Sequence, residues 1–141
     1  MNQFSIDRRA GVLLVKFAGA VTIDRLRAFD EEVKALVAAE GPMPAIIDFT
    51  EVSSVDVETT AVVDRGNSRR QMAGQPRVFV STNPLLFGLL RLYGAYQEAI
   101  DEKAPLVVTS LAEAFDALSV VDPKFEPLAI PSRPLEGTDP I

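Results

Sequence analysis

No cysteine, histidine or tryptophan occurs among the 141 residues of this chain. Without cysteine there is no disulfide, no thiolate zinc site and no thiol nucleophile. Without histidine there is no imidazole base to activate a serine, no imidazole metal ligand and no charge switch near neutral pH. The eight glycines, at 11, 19, 41, 66, 74, 88, 94 and 137, never fall into G-x-G-x-x-G or a Walker loop, which excludes a glycine-loop nucleotide site. Basic charge is short: 14 Lys and Arg stand against 20 Asp and Glu, a formal charge of −6. An acidic chain repels phosphate backbones unless its cations gather in one patch, and Arg69, Arg70 and Arg77 are the nearest approach to one. No nucleic-acid partner is expected. No stretch reaches the ~18 apolar residues that span a bilayer, and residues 1–10 have no apolar signal-peptide core. A soluble, cytoplasmic protein without membrane insertion is the expectation.

What is present suits one folded domain. Hydrophobic residues make up 48% and charged residues 24%, and a chain of this length buries roughly two-thirds of its surface on folding. Phe4 and Ile6 alternate with polar neighbours, residues 7–11 make a turn, and residues 12–17 are a β-rich run, so a hairpin opens the chain. Gly19 ends it. Thr22 is placed to cap a helix whose first turn holds Asp24. Ile23, Leu26, Phe29, Val33, Leu36 and Val37 give that helix one apolar face up to Glu40, where Gly41-Pro42 stops it. Short apolar strands are predicted at 45–49, 78–80 and 106–108. Residues 50–57 read as a loop into a helix over about 58–72, and Asn83-Pro84 opens another that runs to about Ile100. Ser110 with Glu113 forms a capping box for the last helix, whose buried side is Phe115 and Leu118.

The order β-β-α-β-α-β-α-β-α predicts an α/β domain over residues 1–121, with a mostly parallel sheet of four to five strands and helices packed on it. Residues 122–141 hold half of the ten prolines. They are expected to form a Pro-rich C-terminal tail with no regular element, either disordered or docked through Phe125, Leu128 and Ile130.

Function has few places to sit. Residues 52–60 lead from a strand end to a helix start, where open α/β sheets receive ligands. Asp56 and Glu58 are near enough in sequence for paired acid–base work. Two acids at a helix start are nevertheless more often a cap and a dipole partner, and the other use there is contact with a partner. Asp48, Glu51 and Asp56 are oxygen donors able to converge on Mg²⁺, but nothing in their spacing demands it, and no metal or cofactor is expected. The helix from Pro84 is apolar on nearly all faces. Leu86, Leu89, Leu90 and Tyr93 suffice to pack it on a sheet. Leu85, Phe87 and Leu92 then need cover from the tail, a second copy of the chain or a bound apolar molecule.

These stretches resemble the STAS domains, the fold of bacterial anti-sigma factor antagonists, and within them the small stand-alone STAS/Sec14-like proteins. Residues 15–21, 45–52, 55–60 and 111–118 carry the resemblance. It implies a SpoIIAA-like fold over about residues 3–120. In antagonist members an Asp-Ser-Ser/Thr-Gly loop opens the second helix, and a partner kinase phosphorylates a hydroxyl there. Asp56 matches that loop, Val57 and Glu58 stand in place of the hydroxyl residues, and Thr59 replaces the glycine. The resemblance thus implies a non-enzymatic regulatory module with a degenerate phosphorylation loop, meeting a protein partner through Asp56, Val57, Glu58, Thr59 and Thr60. The alternative it implies is a Sec14-like carrier or sensor of a small apolar or lipid ligand. The candidate surface for that ligand, or for a homodimer, is Leu85, Leu86, Leu89, Leu90 and Tyr93.

Overall fold

Short β-branched and aromatic runs, too brief to be buried helices, become the strands of one main sheet. A computed structural model describes residues 2–69, 72 and 74–130. β1 (Asn2–Asp7) and β2 (Val12–Phe17) form the expected antiparallel hairpin. β3 (Gly19–Thr22) and α1 (Ile23–Glu40) follow, then β4 (Ala45–Asp48), β5 (Val52–Asp56) and α2 (Thr59–Gly66). The chain continues through β6 (Arg77–Val80), α3 (Pro84–Ala99), β7 (Leu106–Val108), α4 (Leu111–Ala117) and β8 (Glu126–Pro127). The strands of the main sheet are ordered β7-β6-β4-β2-β1-β8. β2, β4, β6 and β7 run parallel, and the antiparallel pairings are those of β1 with β2 and with β8.

Alternation along β2 splits the core into two layers. Leu13, Val15 and Phe17 face one side, with Ile47 and Phe79, and are covered by Val33 and Leu36 of α1 and by Leu86 and Leu90 of α3. Val12 and Leu14 face the other, with Ile46, Val78 and Val80, under Ala114 of α4 and Val120. All four residues of β4 are buried, as befits a central strand covered on both faces. The caps form where the sequence places them. Thr22 Oγ1 accepts from the Arg25 N–H, Asn83 Oδ1 from the N–H groups of Leu85 and Leu86, and Ser110 Oγ from the Glu113 N–H. The Glu113 carboxylate accepts from both the hydroxyl and the N–H of Thr109, which holds its carboxyl below the usual range.

Three expectations need correction. Residues 50–57 are not all loop, because Val52–Asp56 is a strand that pairs in parallel with β3. β2 ends at Phe17, just before Gly19 as expected, but Gly19, at φ +85, turns the chain into this second, two-stranded sheet rather than straight to α1. Arg25 fastens the turn by donating to the carbonyls of Ala18 and Ala20, both at 2.6 Å, with its guanidinium over the Phe17 ring. Second, α2 ends at Gly66 rather than near Met72.

The third correction concerns the tail. Residues 122–130 dock on the domain, and Glu126–Pro127 is a regular if minimal strand that adds a sixth member to the sheet beside β1. The Lys124 N–H donates to Asp7, the Leu128 N–H donates to the Phe4 carbonyl, and Phe125 stacks on Phe115. Proline is tolerated here because β8 is an edge strand whose outer side needs no donor. This docking leaves Leu85 60% exposed, so the described part of the tail does not cover it. Residues 131–141 lie outside the described chain.

Candidate functional site

β5 delivers residues 56–60 to the surface. Val55 and Val57 pack against the core, while Asp56, Glu58, Thr59 and Thr60 are exposed. Glu58 is the N-cap of α2 but makes no side-chain capping bond, so its carboxylate is left to solvent. Among the described residues neither Asp56 nor Glu58 has a hydrogen-bonded or charged partner, and the acid–base pair is not built. Asp48 is buried and accepts from the Thr50 N–H at 2.9 Å, which shapes the turn after β4. No cluster of three metal-ligating side chains occurs among the described residues, so Asp48, Glu51 and Asp56 do not converge.

A cavity of about 240 Å³ lies on the other side of the same elements, between the sheet and α1, α2 and α3. Leu13, Val15, Ile47 and Phe79 form its floor, and Val33 and Val62 close it from α1 and α2. From α3 the candidates Leu86, Leu89, Leu90 and Tyr93 line it; Leu85 does not. Its polar lining is chiefly cationic. Arg65 makes a bidentate pair with Asp30 at 2.7 and 2.9 Å, and Arg69 pairs with Glu102 at 2.6 Å. Arg77 donates to Tyr93 Oη at 2.6 Å, to Gln97 Oε1 at 2.9 Å and to the Lys103 carbonyl at 3.0 Å.

An opening hairpin, parallel crossovers and a helix start presented beside a small second sheet together define a known architecture. Comparison with solved structures matches 86% of this chain to 100% of the anti-sigma factor antagonist SpoIIAA in its unphosphorylated form, at a TM-score of 0.57 and 13% identity. The fold is that of SpoIIAA. No protein-family model matches the chain, and no curated protein matches it.

Within this SpoIIAA fold the arginines are what sequence reasoning left unassigned. Arg69 and Arg77, noted for charge alone, both line the cavity, and Arg65 joins them from α2. Gln97 was missed altogether. It is fully buried, donates both side-chain N–H groups to the carbonyls of Gly66 and Ser68 at 2.8 Å, and so presents its Oε1 to Arg77. A glutamine on an otherwise apolar helix, with an arginine opening a strand, was the available signal.

Proposed function

We propose that the chain is a regulatory protein-interaction module that works by binding, and that its partner meets the exposed residues 56–60. The observation that supports this reading is the SpoIIAA fold along the whole length of the matched antagonist, with the start of α2 presented on the surface. Val55 and Val57 hold the segment to the core while two carboxylates project from it, which suits a partner surface carrying Lys or Arg. Glu58 supplies a permanent charge in place of an acceptor hydroxyl. Phosphate added in such a loop acts through about two negative charges. Here one charge is always present, and the contact is constitutive rather than switched.

The test is native mass spectrometry of the protein isolated from its own cells. A second polypeptide is expected, with recovery at least about tenfold lower for Glu58→Lys and unchanged for Arg8→Ala, which lies on a remote turn. Recovery indifferent to Glu58 would overturn the docking surface, and stoichiometric phosphate at Thr59 or Thr60 would overturn constitutive contact. The cavity favours a second reading, in which the chain carries or senses a small apolar molecule held under α3. A co-purifying small molecule, released on denaturation, is its expected signature.

A further inference from the structure

We propose that the cavity takes a small apolar monocarboxylate, its hydrocarbon lying between the sheet and α3 and its carboxylate on Arg77 and Tyr93. This rests on the second reading above, that the cavity is a ligand site, and adds the chemistry of the ligand.

The argument is one of unmatched donors. Arg65 and Arg69 each have a carboxylate partner. Arg77, half-buried, has none among the described residues; its acceptors are a phenol, an amide and a backbone carbonyl, all neutral. A guanidinium carries five N–H groups, and three are used. One N–H remains on Nη1, and the Nε–H is buried with no acceptor. Tyr93 Oη accepts from Arg77, which leaves its own proton to donate, and it has no acceptor among the described residues. The Nε–H is sealed from the cavity, so among the described residues the groups left to a ligand are the second Nη1 N–H and the Tyr93 hydroxyl, both donors beside a positive charge. A ligand head that satisfies them must be an acceptor, and an anion compensates the half-buried charge as well. A neutral hydroxyl supplies less, and an amine would be repelled.

The rest of the ligand is set by the walls and the volume. Leu13, Val15, Ile47, Phe79 and Leu90 offer hydrocarbon only. About 240 Å³ exceeds the ~150 Å³ that admits benzene in an engineered cavity and falls below the ~300 Å³ at which drug-sized ligands begin. A medium-length chain or a single ring fits those bounds. Arg69 also lines the cavity, and its side chain is 79% exposed. The Gln97 amide, locked by two carbonyls, keeps Arg77 in place when the site is empty.

The experiment is calorimetric titration of the full chain with decanoate and with decanol at neutral pH, where the acid is ionised. Decanoate is expected to bind about tenfold more tightly than decanol. Arg77→Met and Tyr93→Phe should each remove most of that preference and leave decanol unchanged, and Leu90→Trp, which fills the cavity, should abolish both. Tyr93→Phe keeps the ring and decides the matter if Arg77→Met fails to fold. Equal binding of the two probes overturns the carboxylate assignment and leaves the cavity reading standing. Binding of neither overturns both, and binding that survives Leu90→Trp places the probe elsewhere and overturns the proposal.

Discussion

Asp7 is 1% exposed, and its carboxylate holds two distant pieces of chain. Its Oδ2 accepts from the Lys124 N–H and its Oδ1 from the Ala10 N–H, both at 3.0 Å. The Lys124 bond first, and the Ala10 bond after it, hold the carboxyl below its ordinary 3.8. A folded-state value below the unfolded one means that the stabilisation is complete above about 3.8 and is lost as pH falls through the lower, folded value. Acid should therefore release residues 124–128 before the sheet opens. Hydrogen exchange followed down the pH scale is expected to show early loss of protection at Lys124 and Leu128. Asp7→Asn should remove that step and weaken protection at neutral pH, since an amide nitrogen cannot accept the second bond. Protection that is independent of both pH and Asp7 would show that the segment is held by its apolar contacts alone. In the sequence Asp7 reads as one residue of a turn; its partner lies 117 positions away, and no local pattern announces it.

The elements that could be read from sequence are those whose ends carry their own chemistry. Thr22, Asn83-Pro84 and Ser110-Glu113 mark helix starts by local capping bonds, and all three starts are where they were placed. α2 lacks such a signal. Glu58 makes no capping bond, and the Val52–Asp56 strand before it takes its partner from β3, across a glycine that looked like a terminus. The end of α2 is set by tertiary contact as well. A Cβ on Gly66 would lie 2.6 Å from Tyr96 Cβ and 3.1 Å from the Tyr93 carbonyl. Gly66→Ala should thus destabilise by about 1–3 kcal/mol, because forced overlap of packed helices outweighs the ~1 kcal/mol gain in helix propensity. A lowered denaturant midpoint is the expected result, together with weakened Gln97 bonds to Gly66 and Ser68; a raised midpoint would mean that α2 and α3 separate at no cost. Residues 56–60 were legible as a stretch between strand and helix, while their exposure followed only from β5. The cavity was legible only as one wall, the candidate ligand surface of Leu86, Leu89, Leu90 and Tyr93. Leu86, Leu90 and Tyr93 mark an apolar face, but a void forms only where three helices fail to fill the space above one sheet.

At the scale of the molecule, two layers share one sheet, and the C-terminal segment closes an edge that both need. β1 alternates Phe4 and Ile6 into the core and would otherwise end the sheet with unpaired backbone groups, the usual template for self-association. β8 covers that edge with two residues, and Pro127 offers no N–H to a further strand. The same segment puts Phe125 on Phe115 in the α4 layer, and Leu128 and Ile130 against the layer beneath α1 and α3. Proline content argued for irregularity, and Phe125, Leu128 and Ile130 gave no strand period against it, because strand pairing of so short a piece depends wholly on the edge it meets. Removing residues 122–141 deletes the Lys124 and Leu128 backbone bonds and one aromatic stack, on the order of 2–4 kcal/mol together. The truncated chain is expected to melt earlier, to bind more apolar dye and to self-associate through β1, measured by sedimentation against the full chain. Ser5→Lys in the truncated chain, at the position where β1 meets Pro127, should restore the monomer without restoring the melting temperature, because charge on an edge blocks pairing but replaces no contact. An unchanged melting temperature and a monomeric truncated chain would mean that β1 protects its own edge and that the docked segment contributes no stability.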